Sequence, residues 1–401
     1  MKKLILLITS AISFSLGAQS TQDTIDQPFW QSMMFDRTVN IHNAKRAFDL
    51  YFSNKAKIKG TGYKQFERWY HHWSMKVYPD GSFPAPNHTL NEYRKFRRNN
   101  LTPRSGTGAW KNLGPFDDPF LVGEFVGVGR VNAIGFHSSD EKIIYAGAPQ
   151  GGFWRTYDKG ASWTSTTDDL PTLGVSAIAY IQNSATDSVI LIGTGDRDAG
   201  DANGLGVMRS TNGGVSFISS NTGIGNRTVG MFAQNPLNKN TIFAAVDNGI
   251  YVSYNQGNNW IQRSTAGNFK DIKYCPGDTM TLYATQNGLF YRSTDAGNTW
   301  TSINTGFTAT GRNRLAIAVT AANPNIVYVV ASNASTSGLE SFYKSSNKGL
   351  SFTVRMGGSF NILGSNTNGS ATGGQGWYDL AIAGNDQDSN MVAVGGVIQF
   401  R

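Results

Sequence analysis

Thr156-Tyr157-Asp158-Lys159-Gly160-Ala161-Ser162-Trp163 returns four more times in altered form, and this repetition decides the fold. The further copies are STNGGVSF (210–217), SYNQGNNW (253–260), STDAGNTW (293–300) and SSNKGLSF (345–352). Their shared pattern is Ser/Thr-x-Asp/Asn-x-Gly-x-x-aromatic. The third positions, Asp158, Asn212, Asn255, Asp295 and Asn347, follow one another at 54, 43, 40 and 52 residues, the length of one propeller blade.

The same strand grammar precedes each copy. VNAIGFH (131–137), KIIYAGA (142–148) and GGFWRT (151–156) lead into the first, and SWTST (162–166) follows it. Later units repeat the theme with VSAIAYI, SVILIGT and GVMRS, then TIFAAVD and GIYVS, TLYATQ and GLFYRS, IVYVVAS and ESFYKS. Short β-rich runs broken by Gly, Asn and Asp predict antiparallel four-stranded sheets. An all-β propeller over residues 109–401 is therefore expected. In each third-to-fourth-strand turn, the Asp or Asn should accept backbone N–H groups, the Gly should supply a positive φ, and the aromatic should pack inward between sheets. Three of the five copies carry neutral Asn, so the turns need carbonyl geometry and not charge.

These repeats resemble the Asp-box (BNR) repeats of sialidases, sortilin-type receptors and tandem-propeller xyloglucan hydrolases. The wider phrasing, GVGRVNAIGFH (127–137), ILIGTGDRDAGD (190–201) and GGQGWYDLAIA (373–383), is similar to secreted sortilin-like Asp-box proteins of Bacteroidetes. That resemblance implies fold more than chemistry. Sialidases of this kind carry an Arg-Ile-Pro signature, which is missing here. The resemblance to the xyloglucan hydrolases implies a general-base Asp at the position of Asn132, and an amide there removes one partner of a glycosidase pair.

Lys2 and Lys3, the apolar Leu4 to Leu16 and the small pair Gly17-Ala18 read as a secretory signal over residues 1–18, so a secreted or cell-surface location is expected. Beyond it no apolar run is long enough to cross a membrane. The 401 residues include one cysteine, Cys275, so no internal disulfide can form. Net charge is +8, with Arg94, Lys95, Arg97, Arg98 and Arg104 clustered in the N-terminal hundred residues. A solvated linker or contact with an anionic surface accounts for that cluster; no nucleic-acid-binding module is recognisable.

Residues 19–108 read as a helical, aromatic segment and a basic linker. Helices are expected over 40–55 and 61–77, the second with Phe66, Trp69, Tyr70 and Trp73 on one face to be covered by the propeller or offered to a sugar. Adjacent His71 and His72 point about 100° apart, which disfavours shared metal ligation. Tyr78-Pro79-Asp80-Gly81 ends the helix, and a Pro- and Asn-rich stretch runs to Trp110. At the far end, Met391 to Arg401 reads as two strands of a sixth blade without a sixth box. Five full blades plus part of a sixth are expected, hence a piece of a longer protein.

Ligands should meet the face opposite the boxes. In Gly195 to Gly206, closely spaced Asp196, Asp198 and Asp201 suit Ca²⁺, but Arg197 could pair with a neighbouring carboxylate to give an ion-paired loop, and a catalytic carboxylate is a third reading. The Gly- and Asn-rich 357–379 ends in Trp377, Tyr378 and Asp379, which suits either a sugar-binding rim or a channel plug. With Arg130 and Asn132, these residues form the expected ligand-binding face for an extracellular glycan or peptide. Asp379 with Asp196 is the candidate catalytic pair if the protein is instead a glycoside hydrolase acting on β-glucan or xyloglucan.

Overall fold

Six antiparallel sheets follow one another along the chain in the computed structural model, which describes residues 30–85, 87–99, 129–184, 186–264, 267–308 and 310–400. The expected signal segment, Arg104 and Trp110 lie outside these residues. Two compact units are drawn from the chain, one from Met1–Lys57 and Phe66–Phe83, the other from Ile58–Gln65 and Pro84–Arg401.

The smaller unit holds α1 (Trp30–Met33), α2 (Ile41–Tyr51) and most of α3 (Tyr63–Ser74). Asn40 caps α2, its side chain accepting the His42 N–H at 2.9 Å. The aromatic face of α3 is covered from within this unit. Phe66 stacks on Phe48 at 4.0 Å, Trp30 meets both edge-on, and Trp73 packs on Phe83. The Arg37 guanidinium lies 3.8 Å from the Trp73 ring centre. His72 faces Lys76 at 2.9 Å, and burial together with Lys76 lowers its pKa. A stretch expected to be linker holds a helix, α4 (His88–Asn99): Leu90, Tyr93 and Phe96 recur at every third position among charged and polar residues, a helical spacing that the Pro- and Asn-rich surroundings obscure.

In the larger unit the first blade sets the pattern. Ala133–Phe136, Ile144–Ala148, Gly152–Thr156 and Thr164–Ser165 pair in chain order, with Ile134 opposite Ala146 and Ala146 opposite Trp154. The innermost strands of the next blades are Val175–Gln182, Val229–Gln234, Asp271–Tyr274, Arg312–Val319 and Ala381–Gly384. Five sheets have four strands and the sixth has three. The blade count is thus six rather than five and a fraction. The sixth sheet packs on blade 5 as the others pack on their predecessors, with Leu380 and Val394 buried against Ala316 and Val330.

Apolar side chains fill each junction. Between blades 1 and 2, Tyr145 and Phe153 meet Ile190, Ile192 and Met208; between blades 2 and 3, Leu191 and Val207 meet Ile242 and Ala244. Each buried Val, Leu, Ile, Phe or Met among them contributes roughly 1.5–3 kcal/mol by leaving water.

Inside each repeated turn the hydroxyl and the amide or carboxylate do the expected work. Ser253 Oγ accepts the N–H groups of Asn255 and Gly257 at 3.3 and 2.8 Å and donates to Asn255 Oδ1, which in turn accepts the Asn259 N–H at 3.0 Å. The other four copies repeat these bonds. Not only the Gly but the residue before it is left-handed, as at Lys159, Gln256, Ala296 and Lys348 with φ of 54° to 60°. The glycine has a second reason to lack a Cβ. At Gly214, Gly257, Gly297 and Gly349 that atom would strike Phe153, Leu191, Phe243 and Tyr283 of the preceding blade. One expectation fails at the first copy, where Trp163 is 39% exposed because none of the described sheets precedes it to cover it. Ser253→Ala, which takes the acceptor from the buried Gly257 N–H and from the Asn255 N–H, is expected to cost about 1–2 kcal/mol in urea unfolding, whereas Asp295→Asn should leave the midpoint unmoved.

Candidate functional site

Charged side chains converge where the innermost strands begin, and every blade contributes. Arg130 and Asn132 come from the lead into blade 1, Asp196, Arg197 and Asp198 from the loop after Ser188–Thr194 of blade 2, Lys270 and Asp271 from blade 4, Arg314 from blade 5, and Tyr378 and Asp379 from the lead into blade 6. Blade 3 offers the Gly230 carbonyl, which accepts from Arg197 Nη1 at 3.0 Å.

Asp198 is the centre of this network. Arg197 grips its carboxylate with a two-pronged contact at 3.0 and 3.1 Å, and Arg314 adds a third at 3.2 Å from across the ring of blades. Burial alone would raise this carboxyl; Arg197 and Arg314 override it and hold it at about 2. Arg314 continues to the Tyr378 carbonyl at 2.5 Å, joining blades 5 and 6. Lys270 Nζ donates to the Arg197 carbonyl. Burial pushes the Lys270 ammonium down to about 8, against the opposing pull of Asp198.

Asp196, two residues earlier, gathers its own set of donors. Its Oδ2 accepts from Arg130, and its Oδ1 accepts the Asp198 and Ala199 N–H groups at 3.1 and 3.3 Å. Asn132 Nδ2 donates to both Asp196 Oδ1 and Ser176 Oγ at 3.2 Å. The Asp201 N–H reaches Asp196 Oδ2 at 3.4 Å. The Asp196 and Asp198 carboxylates are therefore engaged by guanidinium, amide and backbone donors, the arrangement of an ion-paired loop. Among the described residues no group of three or more His, Cys, Asp or Glu is placed to hold a metal ion.

Replacing Asn132 by Asp would set a second carboxylate against buried Asp196 and remove a donor. A loss of about 1–3 kcal/mol in unfolding free energy is expected for Asn132→Asp, measured by denaturant titration.

The expected ligand-binding residues do come together. Arg130 lies 5.4 Å over the Tyr378 ring, and Trp377 and Tyr378 tilt against each other at 4.3 Å. Both aromatics and Asp379 are half-buried. Burial raises the Asp379 carboxyl, partly offset by Arg130 and Arg314. By contrast the Asp196 and Asp198 side chains are 0% and 1% exposed. Sequence reasoning misses Lys270, Asp271 and Arg314, although a charged residue beside an apolar first strand, as in Lys270-Asp271-Ile272 and Arg314-Leu315, is the signal that marks them.

No family description and no curated protein matches the chain. Solved structures do. An ancestral GH74 enzyme superposes on 67% of this chain and 35% of its own, at 20% identity and a TM-score of 0.51. The GH74 enzyme of Niastella koreensis covers 67% and 44%, at 18% and 0.53. PorZ, a surface component of the type-IX secretion system of Porphyromonas gingivalis, covers 66% and 30%, at 12% and 0.39. This chain thus spans less than half the length of each of these proteins. At such identities the likeness is one of fold, and the fold shared with the two GH74 enzymes is the β-propeller.

Proposed function

We propose that this chain is an exported, extracellular or cell-surface Asp-box propeller of the sortilin-like kind, and that it works as a non-catalytic binding scaffold for peptide or glycan. Its recognition face is built from Arg130, Trp377, Tyr378 and Asp379. One observation carries the reading: of Asp196, Asp198 and Asp379, only Asp379 reaches solvent. Hydrolysis of a glycosidic bond takes two accessible carboxyl groups flanking the bond, and Asp196 and Asp198 are sealed under guanidinium groups. Two adjacent aromatics beside one carboxyl and one guanidinium favour holding a ligand over cleaving it.

A second reading, glycoside hydrolysis of a β-glucan or xyloglucan-type polymer, draws on the raised Asp379 carboxyl, the state a general acid needs near neutral pH. One experiment separates the two. The protein is passed over immobilised xyloglucan, mixed-linkage β-glucan and a peptide library while reducing-end release is scored. Retention without release is expected, weakened roughly tenfold in Trp377→Ala. Release that disappears in Asp379→Asn would overturn the scaffold reading.

A further inference from the structure

Asp196 and Asp198 stand two positions apart on one loop of blade 2, and neither side chain reaches solvent. Each nevertheless holds one wing of the face that would meet a ligand. Asp196 Oδ2 accepts from Arg130, whose guanidinium lies over the Tyr378 ring. Asp198 pairs with Arg314 at 3.2 Å, and Arg314 Nη1 donates to the Tyr378 carbonyl at 2.5 Å.

The second link reaches the middle of a short span whose two ends are fixed by other means. Upstream, the Gly374 N–H donates to the Thr336 carbonyl at 3.1 Å and the Gly376 N–H to the Ser337 carbonyl at 2.8 Å. Gly376 is closed in further, since a Cβ there would lie 2.7 Å from Leu363 and 2.8 Å from Ser332. Downstream, Leu380 is buried in the junction between blades 5 and 6. Between these points Trp377, Tyr378 and Asp379 form a turn in which the Tyr378 and Asp379 N–H groups both donate to the Gln375 carbonyl at 2.9 Å. Bonds within a turn keep its shape but not its tilt, and a bond from Arg314 to the Tyr378 carbonyl sets the tilt. Arg314 is itself held: its side chain is 6% exposed, and its backbone N–H donates to Ser332 Oγ at 3.1 Å. A rigid fork serves two acceptors at once in a way that an ammonium, a single point on a flexible stem, does not reproduce.

Resting on the reading that Trp377, Tyr378 and Asp379 meet the ligand, we propose that Arg314 is the positioning residue of that face: it acts by holding the Tyr378 carbonyl, with buried Asp198 as its anchor. Arg197 supplies the comparison. It grips the same carboxylate with two contacts, but it bonds onward to the Gly230 carbonyl of blade 3.

Hydrogen exchange of the full chain, read on the segment 375–380, tests this in the parent, Arg314→Lys and Arg197→Lys. Retention on immobilised xyloglucan, mixed-linkage β-glucan and a peptide library is measured beside it. Both variants leave a cation next to Asp198 and lose a fork, so a role confined to stabilising the network would give them the same effect. Arg314→Lys is expected to speed exchange of the Tyr378 and Asp379 amides roughly tenfold and to weaken retention, whereas Arg197→Lys leaves both at the parent level. Arg314→Gln takes its place should Arg314→Lys fail to fold. Equal exchange of the segment in the two variants would overturn the proposal, as would undiminished retention of Arg314→Lys on a probe that holds the parent. The exchange contrast needs no ligand: if it holds while the parent is retained on none of the probes, the recognition reading falls and the hold of Arg314 on the segment stands.

Discussion

Asp198→Asn is expected to lower the unfolding free energy by about 3–5 kcal/mol, the cost of removing one partner from a buried ion pair. The amide keeps the shape of the carboxylate but not its charge. Arg197 and Arg314, which contact Asp198 at 3.0 to 3.2 Å, then lie buried without their counter-ion, and the nearby Lys270 adds a third cation. Removing one of the stranded cations as well, in Asp198→Asn with Arg314→Met, should recover some of the loss, because neighbours in one network do not act additively. Denaturant titration of parent, single and double variants gives the comparison; a single-variant loss below about 1 kcal/mol would show that the network is not what holds the blades at their centre. The same carboxylate sets an acid limit. Its native pKa, about 2, lies below that of an unfolded Asp near 3.9, so the stabilisation is complete above about pH 4 and is lost as pH falls through 2.

At the alkaline end the direction reverses. Burial holds Lys270 at about 8 where the ordinary value is 10.5. Between those pH values the native chain has already released this proton while the unfolded chain still binds it, so stability should climb with pH. The gain from pH 8 to pH 10 is expected to be on the order of 2 kcal/mol. Lys270→Met should abolish it. Above pH 10 the trend turns over, because burial holds the Tyr145 and Tyr283 hydroxyls well above their usual range and the unfolded tyrosines ionise first. A flat profile from pH 8 to 10 in the parent chain would sink the assignment.

Much of the architecture was legible because its signals are local. A Ser-x-Asn-x-Gly turn bonds to itself within four residues, as Ser253 and Asn255 do, and so leaves the same letters in each copy. Counting blades by those letters gives five, whereas the pairing of Ala381 with Gly395 marks a sixth sheet. For the site, Arg130, Asn132, Asp196 and Asp379 were recognisable beside Gly and aromatic residues, but which of them could touch a ligand was not. That depends on Arg314 reaching Asp198 from three blades away, a distance in sequence over which no periodicity runs. The three Asp of the blade 2 loop can be read from sequence as ion ligands or as ion-pair partners; in the structure Arg130 and Arg314 engage Asp196 and Asp198.

Three arginine side chains each tie a blade to the turn of its successor. Arg155 of blade 1 donates to the Gly213 carbonyl of the blade 2 turn, Arg209 of blade 2 to Gln256 of blade 3, and Arg292 of blade 4 to Lys348 of blade 5. Each of these sheets is thus finished by the turn of its successor. During synthesis, when the N-terminal region emerges first, a newly made blade stays incomplete until the ribosome has delivered roughly one more repeat. Folding then advances vectorially, one nearest-neighbour step at a time, and a pause in translation within any turn would leave the sheet before it waiting with its apolar side uncovered.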